Sequence, residues 1–159
     1  MSDVFAVECV WDAIQNLLEE QLDGVDVAAA GAKDFDDDDN LILVPPAVRG
    51  VFIRESASCD ENQHITYDVT QEYAIMSLDA DLSADTQAQR RASAALAGRV
   101  KNVLIGARLR LADGETSEPL IYVGMEPMPV RDAGVAYVTV FQVPGIAQFP
   151  APNAEPDGE

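Results

Sequence analysis

The chain has 159 residues, 48% of them hydrophobic, enough for one packed domain without disulfide or metal staples. Its formal net charge of −18 excludes nucleic acid as the main partner, since phosphate is repelled, and favours high solubility and a basic or mixed-charge protein partner. No stretch approaches the ~20 apolar residues of a membrane span. The N-terminus MSDVFAVECV lacks a leader's basic start and long apolar run, so Cys9 and Cys59 are expected as free thiols of a reduced, cytoplasmic protein.

Residues 4–22 have the pattern of a first helix. Val7, Trp11, Ile14, Leu18 and Leu22 recur at spacings of three and four, and Val4, Val10 and Leu17 widen the stripe. Ser2 or Asp3 is placed to cap it and Gly24 to end it. Trp11, the single tryptophan, lies in the stripe and is expected as a core anchor. A short strand fits Val25 to Ala30. Leu41 to Val44 is a continuous apolar run, and Pro45-Pro46 after it marks a strand end or an edge, since proline cannot donate to a ladder.

A strand is expected from Val48 to Ile53, then a polar loop over 55–64 that holds His64, the single histidine. From Ile65 to Leu78 the pattern alternates. Ile65, Tyr67, Val69, Tyr73 and Ile75 share one face, while Thr66, Asp68, Thr70 and Glu72 share the other. A second helix runs from Asp85 to Leu104, capped by Ser83 or Asp85. Ala88, Ala92, Leu96, Val100, Val103 and Leu104 form its apolar stripe, and the small Ala88, Ala92 and Ala95 let it lie close to a sheet. A short strand fits Arg108 to Leu111, and Asp113-Gly114 a turn. Strands at Leu120 to Val123 and Val135 to Val143 are expected to form a hairpin with a long connection through Met125 to Pro129 and a turn at Arg131 to Gly134. Pro144-Gly145 ends the last strand in this reading, and 146–159 is a mobile tail rich in proline and acid. The fold class expected is therefore α+β: a mostly antiparallel sheet of four to five strands with two helices packed on one face, in a single domain over 1–145.

Motifs of catalysis are absent from the sequence. It has no glycine-rich phosphate loop, dinucleotide fingerprint or nucleophile elbow. Two cysteines fifty residues apart and one histidine do not make a zinc site by the usual spacings. With 28 acidic residues, a pair of carboxylates is too common to identify a hydrolase. The run Lys33-Asp34-Phe35-Asp36-Asp37-Asp38-Asp39-Asn40 has part of the pattern of a calcium loop. Asp34, Asp36 and Asp38 match its first, third and fifth positions, but the required Gly is Asp39 and the closing Glu is Pro45. The run is expected as a solvated loop, with no cofactor and no metal.

Charge is strongly segregated. Between Thr86 and Ala112 lie Arg90, Arg91, Arg99, Lys101, Arg108 and Arg110 with no acidic residue, while the rest of the chain carries only four basic ones. Aromatic residues do not interleave with them, which argues against single-stranded nucleic acid. These six residues are candidate contacts for an acidic neighbour, including another copy of this chain, and Asp36, Asp37, Asp38 and Asp39 are the complementary candidates.

The order of these elements resembles the tail terminator (tail completion) proteins of tailed bacteriophages, in particular the Gp37-like family of Mu-like phages. The resemblance rests on Pro46-Ala47-Val48 at the start of a strand, on Tyr67-Asp68-Val69-Thr70-Gln71-Glu72-Tyr73-Ala74-Ile75, on the Ala-rich helix from Gln87 to Val103, and on Glu118-Pro119-Leu120 to Phe141. It covers roughly residues 4–143 and departs at Arg49-Gly50, where the family pattern has an apolar residue. It implies a non-enzymatic virion protein, a homo-oligomeric six-fold ring that caps the tail tube and stops its polymerisation. The implied partners are further copies, the tail tube protein, the sheath and the head–tail connector or neck protein. The implied location is the head-proximal end of the tail, and the host cytoplasm during assembly. Alternatives are another tail, baseplate or neck structural protein, or a small metal- or ligand-binding module.

Overall fold

A computed structural model describes residues 5–59, 66–80, 86–130 and 134–148. Helix α1 covers Val7–Gln21, shorter than the sequence pattern suggested. Ala6 is its N-cap, extended and without a side-chain bond, while the expected caps Ser2 and Asp3 lie outside the described residues. Val10, Trp11, Ile14 and Leu18 face the core, but Val7 in the first turn is exposed. The Leu22 N–H returns to the Leu18 carbonyl (2.8 Å), and Gly24 at φ +71° turns the chain out of the helix, a conformation that favours glycine.

Strand β1 (Asp26–Ala29) pairs in parallel with β2 (Ala47–Cys59). Strand β3 (Thr66–Leu78), helix α2 (Thr86–Leu104), β4 (Ile121–Val130) and β5 (Gly134–Gln148) follow. The sheet order is β1-β2-β3-β5-β4, and every pair except β1–β2 is antiparallel. Both helices cover one face, so the architecture is α+β with a five-stranded, mostly antiparallel sheet. The alternation read in β3 holds. Tyr67, Val69, Tyr73 and Ile75 face the helices and pack with Phe141 and Val143 of β5 and Leu96, Val100 and Leu104 of α2. No described helix is long and apolar enough to cross a membrane.

Several expectations change. β2 continues to Cys59, so the first half of the supposed loop is strand, held by the last five of the twelve register pairs that join β2 to β3 across one bulge at Phe52/Arg54. The rest of that loop, with His64, lies outside the described residues. Residues 108–111 are not a strand. Only an isolated bridge joins Arg110 to Thr116, while Leu109 and Leu111 plug the core. β4 runs without a break through the supposed connection, because it is an edge strand and Pro127 and Pro129 cost it little there. β5 likewise passes through Pro144, opposite Thr70. β4 stops pairing at Gln142, so from Pro144 onward the outer side of β5 has no ladder. In α2 the buried line is Ser93, Leu96, Ala97, Val100 and Leu104. Ala97 and Ser93 give the close approach to the sheet, and Ala95 is exposed. The expected caps Ser83 and Asp85, and the segments 131–133 and 149–159, lie outside the described residues.

The N-terminal segment is fastened by a buried polar network. The Gln71 amide donates to the Phe5 carbonyl (2.7 Å) and to Glu55 (3.0 Å). The Tyr73 hydroxyl donates to Gln71 Oε1 (2.6 Å). These partners let Gln71 be fully buried without an orphaned group.

Candidate assembly surfaces

Between β1 and β2 the chain crosses the face of the sheet that the helices leave open. This strap, residues 30–46, has a 3₁₀ turn at Ala32–Asp34 and no strand; in the apolar run Leu41 to Val44 only Leu41 makes a bridge, to Phe35, and the run joins no sheet ladder. Leu41 and Leu43 pack on a second small cluster of Leu78, Val130 and Ala136, whereas Ile42 (54%) and Val44 (81%) are exposed.

Arg49 staples the strap to the sheet. It lies on the open face of β2, almost fully buried. Its Nε donates to Asp34 Oδ1 (3.2 Å), its Nη2 to Asp26 Oδ2 (2.6 Å), and its Nη1 to the carbonyls of Asp26 (2.8 Å) and Val48 (3.1 Å). Asp34 accepts a further bond from the Gly31 N–H (2.9 Å). Burial raises the Asp34 carboxyl, but the Gly31 N–H and the Arg49 guanidinium outweigh it and hold the group below its ordinary value. Asp34, matched in the sequence to a metal-ligand position, is thus a structural ion-pair partner.

Residues 36–40 make a tight turn closed by the Phe35–Leu41 bridge. Asp36 Oδ1 accepts from the N–H groups of Asp38 (2.9 Å) and Asn40 (2.8 Å), and Oδ2 from the Asn40 amide (3.2 Å). The Asn40 N–H is the first cause that holds the Asp36 carboxyl below its ordinary value. Asp39 sits at φ 60°, which Asp tolerates better than most residues. Asp36 therefore shapes the turn, and Asp37, Asp38 and Asp39 project into solvent. Among the described residues no group of three or more His, Cys, Asp or Glu converges on a metal position. Cys9 and Cys59 are free thiols.

The basic candidates are on the other side of the sheet. Arg90, Arg91 and Arg99 are exposed on α2 and make no ion pair among the described residues; Arg110 is the same, beyond the helix. Lys101 lies over the Tyr122 ring (5.5 Å to its centroid). Among the described residues only Arg108 of the six has an acidic partner, Glu118 at 3.6 Å, and both side chains are more than half exposed, so the pair is weak. The sheet thus separates the acidic turn from the basic helix, and the two patches do not meet within one chain. Sequence reasoning missed Arg49 and the open sheet face. The signals present were an arginine inside a strand and the apolar Ala74, Met76 and Leu78 on the β3 face that begins as Thr66, Asp68 and Thr70.

No family model and no curated protein matches the chain. Among solved structures, a chain described as "Virion of native gene transfer agent (GTA) particle" is similar at 15% identity and a TM-score of 0.46, with 88% of this chain and 92% of that chain covered. A likeness at that level carries no argument about what this chain does.

Proposed function

We propose that this protein is a structural subunit that acts by assembling with copies of itself, as a phage tail terminator: a ring that caps the tail tube, stops its growth and helps join tail to head. The observation that carries the assembly reading is the opposition of the two patches. Exposed Asp37, Asp38 and Asp39 lie on one side of the sheet, and Arg90, Arg91, Arg99 and Arg110, exposed and without an ion pair among the described residues, lie on the other. Patches placed this way are complementary between neighbours arranged head to tail, and repetition of such a heterologous contact closes a ring or extends a filament. The terminator role is supported by the resemblance in Tyr67 to Ile75 and in the order of elements around it.

The experiment is electron microscopy of the particles made when this gene carries an early stop codon. Over-long tails, or tails unattached to heads, are expected. Normal joined particles would remove the terminator role. Particles that lack another tail or neck part would transfer the same assembly chemistry to that position.

A further inference from the structure

Strap and sheet enclose a groove of about 490 Å³. Val51, Ala74, Met76 and Val138 supply apolar side chains from the sheet, and Asp39 and Asn40 line it from the acidic turn. Arg49 and Asp34 also border it, but they spend their polar atoms on each other, on Asp26 and on backbone. A small polar ligand would find no free buried group to hold it. An occupant that suits the groove is an apolar knob with positive charge around it.

The chain carries such a knob. Ile105 directly follows the last residue of α2 and is 50% exposed. Lys101 precedes it by one helical turn, and Arg108 and Arg110 follow after Gly106, whose φ of +75° turns the chain sharply. Arg108 has Glu118 at 3.6 Å, which leaves Lys101 and Arg110 as the cations without an acidic partner among the described residues; Ile53 has beside it only Arg54, which faces Glu72 at 3.5 Å. Knob and groove belong to opposite faces of the sheet, so one chain cannot join them. We infer that Ile105 of one copy seats in the strap groove of the next, with Lys101, Arg108 and Arg110 turned toward the acidic turn. The inference rests on the assembly reading and names its contact. It also gives that contact what the charged patches lack, an apolar anchor shielded from water.

The test uses the full chain with Cys9→Ala and Cys59→Ser. One preparation carries Ile105→Cys and a second carries Val51→Cys, since Val51 is half exposed at the groove. Each alone and the mixture are treated with a short bismaleimide at millimolar protein, and sedimentation velocity is run on untreated samples. Cross-linked dimer in the mixture well above either preparation alone is expected. Ile105→Asp, a surface change that leaves the fold intact by circular dichroism, is expected to raise the concentration needed for association roughly tenfold or more, the size of effect an interface anchor gives. Oligomers that cross-link only at background would overturn the inference and leave the assembly reading standing. Monomers at millimolar concentration would also overturn it, while the stop-codon particles still judge the assembly reading separately.

Discussion

The six-membered ring of Trp11 fills the space where a Cβ on Gly50 would stand. Trp11 also stacks on Tyr73, with ring centroids 6.3 Å apart, and donates its indole N–H to Gln15 (3.0 Å). The indole is thus fixed from both sides, and Gly50 is the position in β2 that lets α1 close on the sheet. At an open strand position, replacing glycine with alanine gains about 0.5–1 kcal/mol. Here Gly50→Ala is expected to cost about 1–3 kcal/mol, as overpacking does. Urea unfolding of Gly50→Ala, Trp11→Leu and the double variant measures the coupling. If the two costs simply add, the ring and the glycine are not in the relationship described.

The Arg49–Asp34 pair should be visible in acid. Asp34 titrates below its ordinary value in the folded chain, so as pH falls the unfolded chain takes up this proton first. The stability this group contributes is complete above the ordinary aspartate value of about 4 and is lost as pH drops through the lower folded value. Asp34→Asn should therefore be less stable than the natural chain near neutral pH, with the gap narrowing as pH falls below about 4. Arg49→Ala, which leaves Asp34 buried without its guanidinium, should cost about 3–5 kcal/mol. Asp26→Asn should cost no more than about 1 kcal/mol, because that carboxylate is 64% exposed. Equal losses at Asp26 and Asp34 would contradict the staple.

At the other end of the scale, burial first and Glu55 second push the Tyr73 hydroxyl above its ordinary value. The unfolded chain loses this proton more readily. The stability contribution is therefore present below about pH 10 and is lost as pH rises above it. Tyr73→Phe removes that alkaline loss. It also costs about 1–2 kcal/mol at neutral pH, because Gln71 Oε1 loses its donor. Unfolding midpoints of the two proteins across the alkaline range make the comparison, and parallel curves would rule out Tyr73 as the titrating group.

How far the sequence could be read depended on the range over which each determinant acts. The two helices, the alternation of β3 and the α+β class follow from periodicity, which is local. The misread stretches turned on position in the sheet. Pro127 and Pro129 looked like a connection and Pro144 like a strand end, and only the finished topology shows that each sits in a strand with a partner on one side and no ladder on the other. Buried polar residues were equally hidden. Gln71 finds Phe5 across sixty-six residues, and Gln89 reaches from α2 to the N–H (2.8 Å) and carbonyl (3.1 Å) of Val135. The period of β3 and α2 puts both side chains on the inward face, but nothing local marks the distant partner that makes burial of an amide possible. The acidic run and the basic helix were plain in the composition, yet their placement on opposite sides of the sheet was not, because it depends on the strap crossing the open face.

That placement gives the last prediction. Arg108→Glu with Arg110→Glu, and separately Asp37→Lys with Asp38→Lys, alter exposed side chains and should leave folding within about 0.5 kcal/mol of the natural chain. If the patches meet between copies, each pair of reversals sets like charges against each other at every contact of the assembly. Exposed pairs contribute about 0.2–1 kcal/mol apiece, so each double variant should weaken association roughly tenfold. The natural protein should weaken in the same direction as salt is added, since these charges are screened. Combining all four substitutions in one chain restores opposite signs across the contact and should recover association, as measured by sedimentation. Recovery is the informative arm: loss in both double variants without recovery would mean that each patch meets a different partner, and no loss in either would mean that the segregated charge serves solubility alone.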